Sequence, residues 1–359
     1  SDRLFARSAR SVLVLGAVAA LLLALGFALL FFPLVSTPRA LIVWASVMLV
    51  LTYAAYSALS VPYQSWGAML GGNEAERSRI VAWREGLGLV GVVLASITPV
   101  ALGLPATTAL FFTTLLIGWL AWTRAVRPVA RAPTPGDNTQ SSASAIWRPF
   151  KHSSFKRLLL VFMLNGIASA VPATLVLFFI QDLLQAPSAM EPAFLGSYFL
   201  AAALSIPLWL AVVKRIGLAA SWLAGMFLAI SVFAWATQIV AGQTAAFLAI
   251  CALSGVALGT DLALPGALLA GVIQANGDSG QAEGAYFGWW NFATKLNLAL
   301  AAGLALPLLG LFAYAPGVRS PEALDALVVA YCVLPCLLKL AAAACLYFFI
   351  LKKPQGVQP

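Results

Sequence analysis

The chain has 359 residues, of which 62% are hydrophobic and only 9% charged, with a formal net charge of +9. No soluble core of this length needs so much apolar surface, so composition excludes a globular soluble class and leaves a polytopic helical membrane protein. One histidine, His152, sits in a basic loop, and Cys251, Cys332, Cys336 and Cys345 fall in apolar runs without CxxC spacing. They leave little for triad, metal or disulfide chemistry and read as small core residues.

A spanning helix needs about 20 largely apolar residues. Ten such runs can be drawn, at 12–32, 41–69, 80–102, 105–123, 157–181, 193–213, 218–240, 244–273, 284–312 and 324–350. Between the second and third lies SVPYQSWGAMLGGNEAERSRIVAWREGLG, Ser60 to Gly88, which carries polar residues into both spans. Pro62 and Gln64 sit inside one, and Arg84 and Glu85 re-enter the other. An ionised side chain at the bilayer centre costs roughly 2.5–3.5 kcal/mol, so such groups face protein or a water-filled path. The pattern implies a polar interior and a protein that moves something. After the fourth run, the Pro- and Ser-rich basic stretch from Arg124 to Arg157 cannot bury a core and reads as a flexible cytoplasmic linker. Farther on, Asp261 lies mid-span in the eighth run. Asn291, Lys295 and Asn297 lie in the ninth, and Lys339 follows Pro335 in the tenth.

Basic residues alternate between loops in the positive-inside pattern. Arg3, Arg7, Arg10, Arg77, Arg79, Lys214, Arg215, Lys352 and Lys353 fall on one side, together with seven more in the long loop. The other side holds only Arg39 and Arg319. Both termini are therefore expected in the cytoplasm. Four spans precede the linker and six follow it, and the two groups of spans echo each other. Pro62 and Pro265 sit in spans leading to cytoplasmic loops. Glu-x6-Trp recurs as Glu76–Trp83 and Glu283–Trp290, and Pro99 and Pro307 follow. If the groups are parallel repeats, the shorter one lacks a pair of spans at its amino end, and the opening SDR fits a truncated chain.

Three segments carry a family resemblance. SDRLFARSAR at 1–10, with its Asp2–Arg3 pair, looks like a loop between second and third helices. VPYQSWGAMLGGNEAERSRIVAWRE at 61–85 looks like a fourth-to-fifth helix signature. GTDLALPGALLAGVI at 259–273 with EGAYFGWWNFATKLNLAL at 283–300 looks like tenth and eleventh helices. On these the chain resembles the glycoside–pentoside–hexuronide:cation symporters, the melibiose-permease-like branch of the major facilitator superfamily. The resemblance implies an all-α polytopic fold of two six-helix bundles, with about ten spans present of an expected twelve. It divides the chain into a truncated bundle at 1–123, a linker at 124–157 and a six-helix bundle at 158–359. It also implies alternating access, with uptake driven by Na⁺ or H⁺ and no cofactor. Arg84 and Lys295 look like the family's arginine and lysine on the fifth and eleventh helices. Ser60 stands where the pattern has an aspartate before the proline, Ser57 at a hydroxyl position near the cation, and Gln64 at an aromatic sugar contact. Gly271 and Gln274 replace the two acids of the related ADVVD segment.

Position adds further expectations. Lys295 lies about twelve residues into its span, roughly 18 Å deep at 1.5 Å per residue. It is either a substrate or coupling group, or a structural salt bridge. Asn291 shares its helix face one turn earlier. Arg84 is functional or snorkels to the interface, and Glu85 bridges helices. Asp261 is a coupling group or the counter-ion of Lys295, and Lys339 is a structural lysine paired with a neighbouring helix. Asp182 is expected at the outer interface. Trp289 and Trp290 stack on a sugar or form an interfacial belt.

The expected substrate-binding residues are thus Arg84, Lys295, Asn291, Gln64 and Ser60, and the expected coupling residues Asp261, Ser57 and Ser60. The leading function is cation-coupled symport of a sugar, glycoside or similar polar solute. Its partners would be that solute and membrane lipids, with no nucleic acid, in the bacterial inner (plasma) membrane. Transport of a lysolipid-like amphiphile, or a non-transporting sensor or assembly role, stands as the alternative. An enzyme would need a nucleophile–base pair or metal ligands inside the bilayer.

Overall fold

The computed structural model describes residues 9–70, 73–127, 146–311 and 314–352. Asp2, Arg3, Arg7, Lys353 and the linker residues 128–145 lie outside these. Among the described residues each predicted apolar run is helical over most of its length. Helix α1 is Ala9–Phe31 and α2 Pro38–Met69, whose first turn is set by Pro38 after an extended Thr37. Helix α3, Glu74–Thr123, is two spans, Ala75–Pro99 and Ala101–Thr123, broken at Gly103. There φ is 81° and ψ 167°, a conformation open only to glycine. Helix α4 is Ser153–Phe178 and runs through a π-helical turn, Phe179–Leu184. Helix α5, Glu191–Ile216, stops at Gly217 (φ 80°), and α6, Leu218–Ala236, begins directly after it. Helix α7 is Thr244–Ala275 and α8 Glu283–Leu311. The last span comprises α9, Pro321–Val328, a π-helical turn at Val329–Val333, and α10, Leu334–Leu346. Among the described residues nine helices are long and apolar enough to cross a membrane. The remaining predicted run is α8, helical over 29 residues.

The Glu-x6-Trp echo has a local structural basis. Asn73 N–H donates to Glu76 Oε2 at 3.0 Å and Glu76 N–H returns to Asn73 Oδ1 at 2.9 Å, a reciprocal capping box opening α3. Glu283 accepts in the same way from Gly280 N–H at the start of α8. Each carboxylate therefore satisfies a backbone N–H three residues earlier, Asn73 at the N-cap of α3 and Gly280 in the turn ahead of α8.

The chain falls into two compact units. One takes residues 1–71, 91–151 and 273–291, and the other residues 72–90, 152–272 and 292–359. In the first, α1 packs on α2, and Val12, Leu13, Trp66 and Trp122 form a small core. Gly16 lets the Trp122 ring approach the α1 backbone. The described ends of the linker are anchored here. Trp66 Nε1 donates to Val126 O at 2.9 Å, and Trp289 Nε1 to Ile146 O at 2.9 Å. Phe150 meets the Trp289 ring edge-on at 4.9 Å. Arg148 pairs at 2.8 Å with the buried Asp278, which also accepts from Tyr286 OH at 2.7 Å.

In the second unit α10 packs against α4 and α6. Its core includes Leu175, Phe179, Phe194, Phe247, Tyr331 and Cys332. Inside a bilayer there is little hydrophobic drive between helices, so close backbone approach has to supply the attraction. Gly225 on α6 supplies it, since a methyl there would overlap the Thr260 side chain on α7. Asp182 is only 4% exposed, with Tyr314 OH (2.7 Å) and Gly317 N–H (3.1 Å) donating to it from the stretch ahead of α9. Burial and that hydrogen bond push the Tyr314 phenol up, so it stays a neutral donor at physiological pH. All four cysteines are free thiols.

Candidate functional site

In the first unit, Ser57, Ser60 and Gln64 lie on one stretch of α2, preceding and following its Pro62. Ser57 Oγ donates to Tyr53 O at 2.8 Å and Ser60 Oγ toward Ser57 O at 3.5 Å, so both hydroxyl protons point to carbonyls of their own helix. Ser60 is 8% exposed. Gln64 is brought to Asn291, whose Nδ2 donates to Gln64 Oε1 at 3.0 Å and to Phe287 O at 2.9 Å. That leaves Gln64 Nε2 and Asn291 Oδ1 without a hydrogen-bond partner among the described residues, an amide donor beside an amide acceptor.

In the second unit, Arg84 packs beside Gly266 of α7 and is held by its own neighbour. Its Nε and Nη2 donate to Glu85 Oε1 at 2.9 and 2.7 Å, with both side chains partly exposed. Glu85 therefore does not bridge helices as expected, because its partner is one residue away on α3. Lys295 is half-buried on α8. Gly271, where the family pattern has an acid, lies under the Arg77 guanidinium, 3.3 Å from where a Cβ would stand.

Asp261 is not the counter-ion of Lys295; its partner is Lys339, at 3.0 Å. Lys339 Nζ also donates to Asn165 Oδ1 (2.8 Å) and Ser169 Oγ (3.1 Å), which uses all three ammonium protons. Trp222 Nε1 donates to Asp261 Oδ1 at 2.9 Å, and Ser169 Oγ to Asp261 Oδ2 at 3.2 Å. Side-chain exposure is 5% for the lysine and 14% for the aspartate. Four helices, α4, α6, α7 and α10, thus contribute to one polar centre between apolar walls. It borders a cavity of about 150 Å³ lined also by Tyr198, Cys251, Ser254 and Tyr331. Asn165, Ser169 and Trp222 are not among the expected site residues. Asn165 and Ser169 are polar at i and i+4 within an apolar run, and that spacing alone marks a shared helix face.

Among the described residues these polar centres lie within helices long and apolar enough to span a membrane. The fold is shared with solved transporters at low sequence identity. The E. coli fucose:proton symporter aligns at 12% identity with a TM-score of 0.66, covering 95% of this chain and 86% of that one. A bacterial homologue of the iron transporter ferroportin, in its outward-facing state with soaked iron, aligns at 15% identity and 0.66, covering 93% and 81%. No curated protein matches the chain. The chain belongs to the MFS/sugar transport protein family, whose model matches residues 1–353. It is a transporter of small molecules and not an enzyme.

Proposed function

We propose that the chain is a cation-coupled symporter of a sugar, glycoside or similar polyhydroxylated solute, working by alternating access between bundles at 1–123 and 158–359. Both termini are assigned to the cytoplasm, at a bacterial inner membrane. The observation that carries the solute class is the Gln64–Asn291 pair, whose uncommitted donor and acceptor match the two faces of a hydroxyl group. Arg84, Lys295 and Ser60 complete the proposed solute-binding set through the family resemblance. Asp261, Ser57 and Ser60 form the proposed coupling set, with Na⁺ or H⁺ as the coupling ion. A lysolipid-like amphiphile is the second reading. An apolar groove of about 480 Å³ lined by Ala20, Leu21, Ala24, Phe112, Leu116 and Trp119 favours it.

Equilibrium binding of a radiolabelled panel of mono- and disaccharides, glycosides and one lysophospholipid to the purified chain tests the assignment. Saturable binding of a sugar or glycoside is expected. Asn291→Ala and Gln64→Ala should each weaken it roughly 10-fold, about 1.4 kcal/mol for a lost polar contact. Lysophospholipid binding alone would transfer the assignment to the second reading. Sugar binding untouched by either substitution would remove the amide pair from the site.

A further inference from the structure

The Lys339 ammonium stands at the meeting point of three oxygens. Asn165 Oδ1, Ser169 Oγ and Asp261 Oδ2 lie 2.8, 3.1 and 3.0 Å from Nζ. An amide carbonyl, a hydroxyl and a carboxylate converging on one buried point are hard oxygen donors of the kind that hold a cation. The second carboxylate oxygen, fixed by Trp222 Nε1, cannot swing away. Charge is balanced inside this centre. Of the residues lining the adjoining cavity, Asp261 is the one acid and Lys339 the one base. Its other ionisable groups, Tyr198 and Cys251 from α5 and α7 and Tyr331 from the π-helical turn before α10, are neutral hydrogen-bonding types.

We infer that Lys339 is the tethered occupant of a monovalent-cation site built from Asp261, Asn165 and Ser169. A free cation arriving beside the ammonium would give the buried centre a net positive charge with one carboxylate to share. Occupancy is therefore one-for-one: either the lysine or an inorganic cation. With the ammonium in place Asp261 binds no Na⁺, and removal of the ammonium opens a Na⁺ site bordered by a cavity able to hold completing waters. The inference rests on the symporter reading for its functional consequence, which narrows it: of the two proposed coupling ions, Na⁺ does not couple through Asp261 in this conformation.

The test is the unfolding midpoint of the purified full chain in detergent, as NaCl replaces choline chloride at constant ionic strength. The wild type should show no saturable Na⁺ response that Asp261→Asn abolishes. Lys339→Ala should gain one, a rise of roughly 2–4 °C at saturating Na⁺. Lys339→Ala combined with Asp261→Asn should lose it again. A saturable wild-type response abolished by Asp261→Asn would overturn the inference, and this arm stands even if Lys339→Ala fails to fold. So would a monodisperse Lys339→Ala protein responding no more than the double variant. The midpoint reads the site whether or not a sugar moves, so failure of the transport reading is seen separately.

Discussion

Asp261 and Lys339 neutralise each other across 78 positions of sequence. Removing one partner strands a largely buried charge, at a cost of about 3–5 kcal/mol, whereas removing both leaves none. In Na⁺-free buffer, Asp261→Asn or Lys339→Ala alone should lower the unfolding midpoint in detergent well below that of the combined Asp261→Asn/Lys339→Met. A double variant as unstable as either single would contradict the pairing. At this scale the sequence was only half legible. Asp261 stood out because an acid in an apolar run must have a partner. Which lysine answered it depended on how α7 and α10 face each other, and no local pattern encodes that. Asp182 shows the same limit: its burial follows from a donor 132 positions away, which no local pattern encodes. The Gln64–Asn291 pair joins two expected residues whose contact was not foreseeable from spacing.

At the scale of elements, periodic apolar length located the helices, and punctuation residues placed their breaks. The gap left between runs 80–102 and 105–123 is the break at Gly103. Where the expected bounds drift, the reason is local. Helix α4 continues to Leu184 through a π-helical turn, which relieves the helix without a breaker residue. Helix α6 stops at Ala236, short of the expected 240, and apolar Ile239 and Val240 fall in the connection to α7. Gly103 gives the prediction. Its backbone conformation is strained for any side chain, so Gly103→Ala should destabilise by about 1–3 kcal/mol. Gly288→Ala, in helical backbone with open space around its Cβ position, should be neutral or slightly stabilising. Thermal unfolding of the two variants in parallel checks the contrast. Equal effects would mean that the break does not depend on glycine.

At the scale of the whole molecule, the alternation of spans and basic loops was enough to define an integral membrane protein, and three short segments pointed to its family. What could not be read from a linear pattern is the set of side chains that meet inside the helices, because a transporter's polar centre is assembled from helices far apart in sequence. The central claim is that the chain moves a polyhydroxylated solute through such a centre. Counterflow of labelled sugars and glycosides in proteoliposomes of the purified chain tests it most directly. The account predicts saturable, solute-specific exchange that Asn291→Ala reduces about 10-fold or more and that does not depend on Na⁺ binding at Asp261. Exchange absent for every sugar and glycoside, in protein shown to be folded and with Na⁺ or a pH gradient supplied, would contradict it.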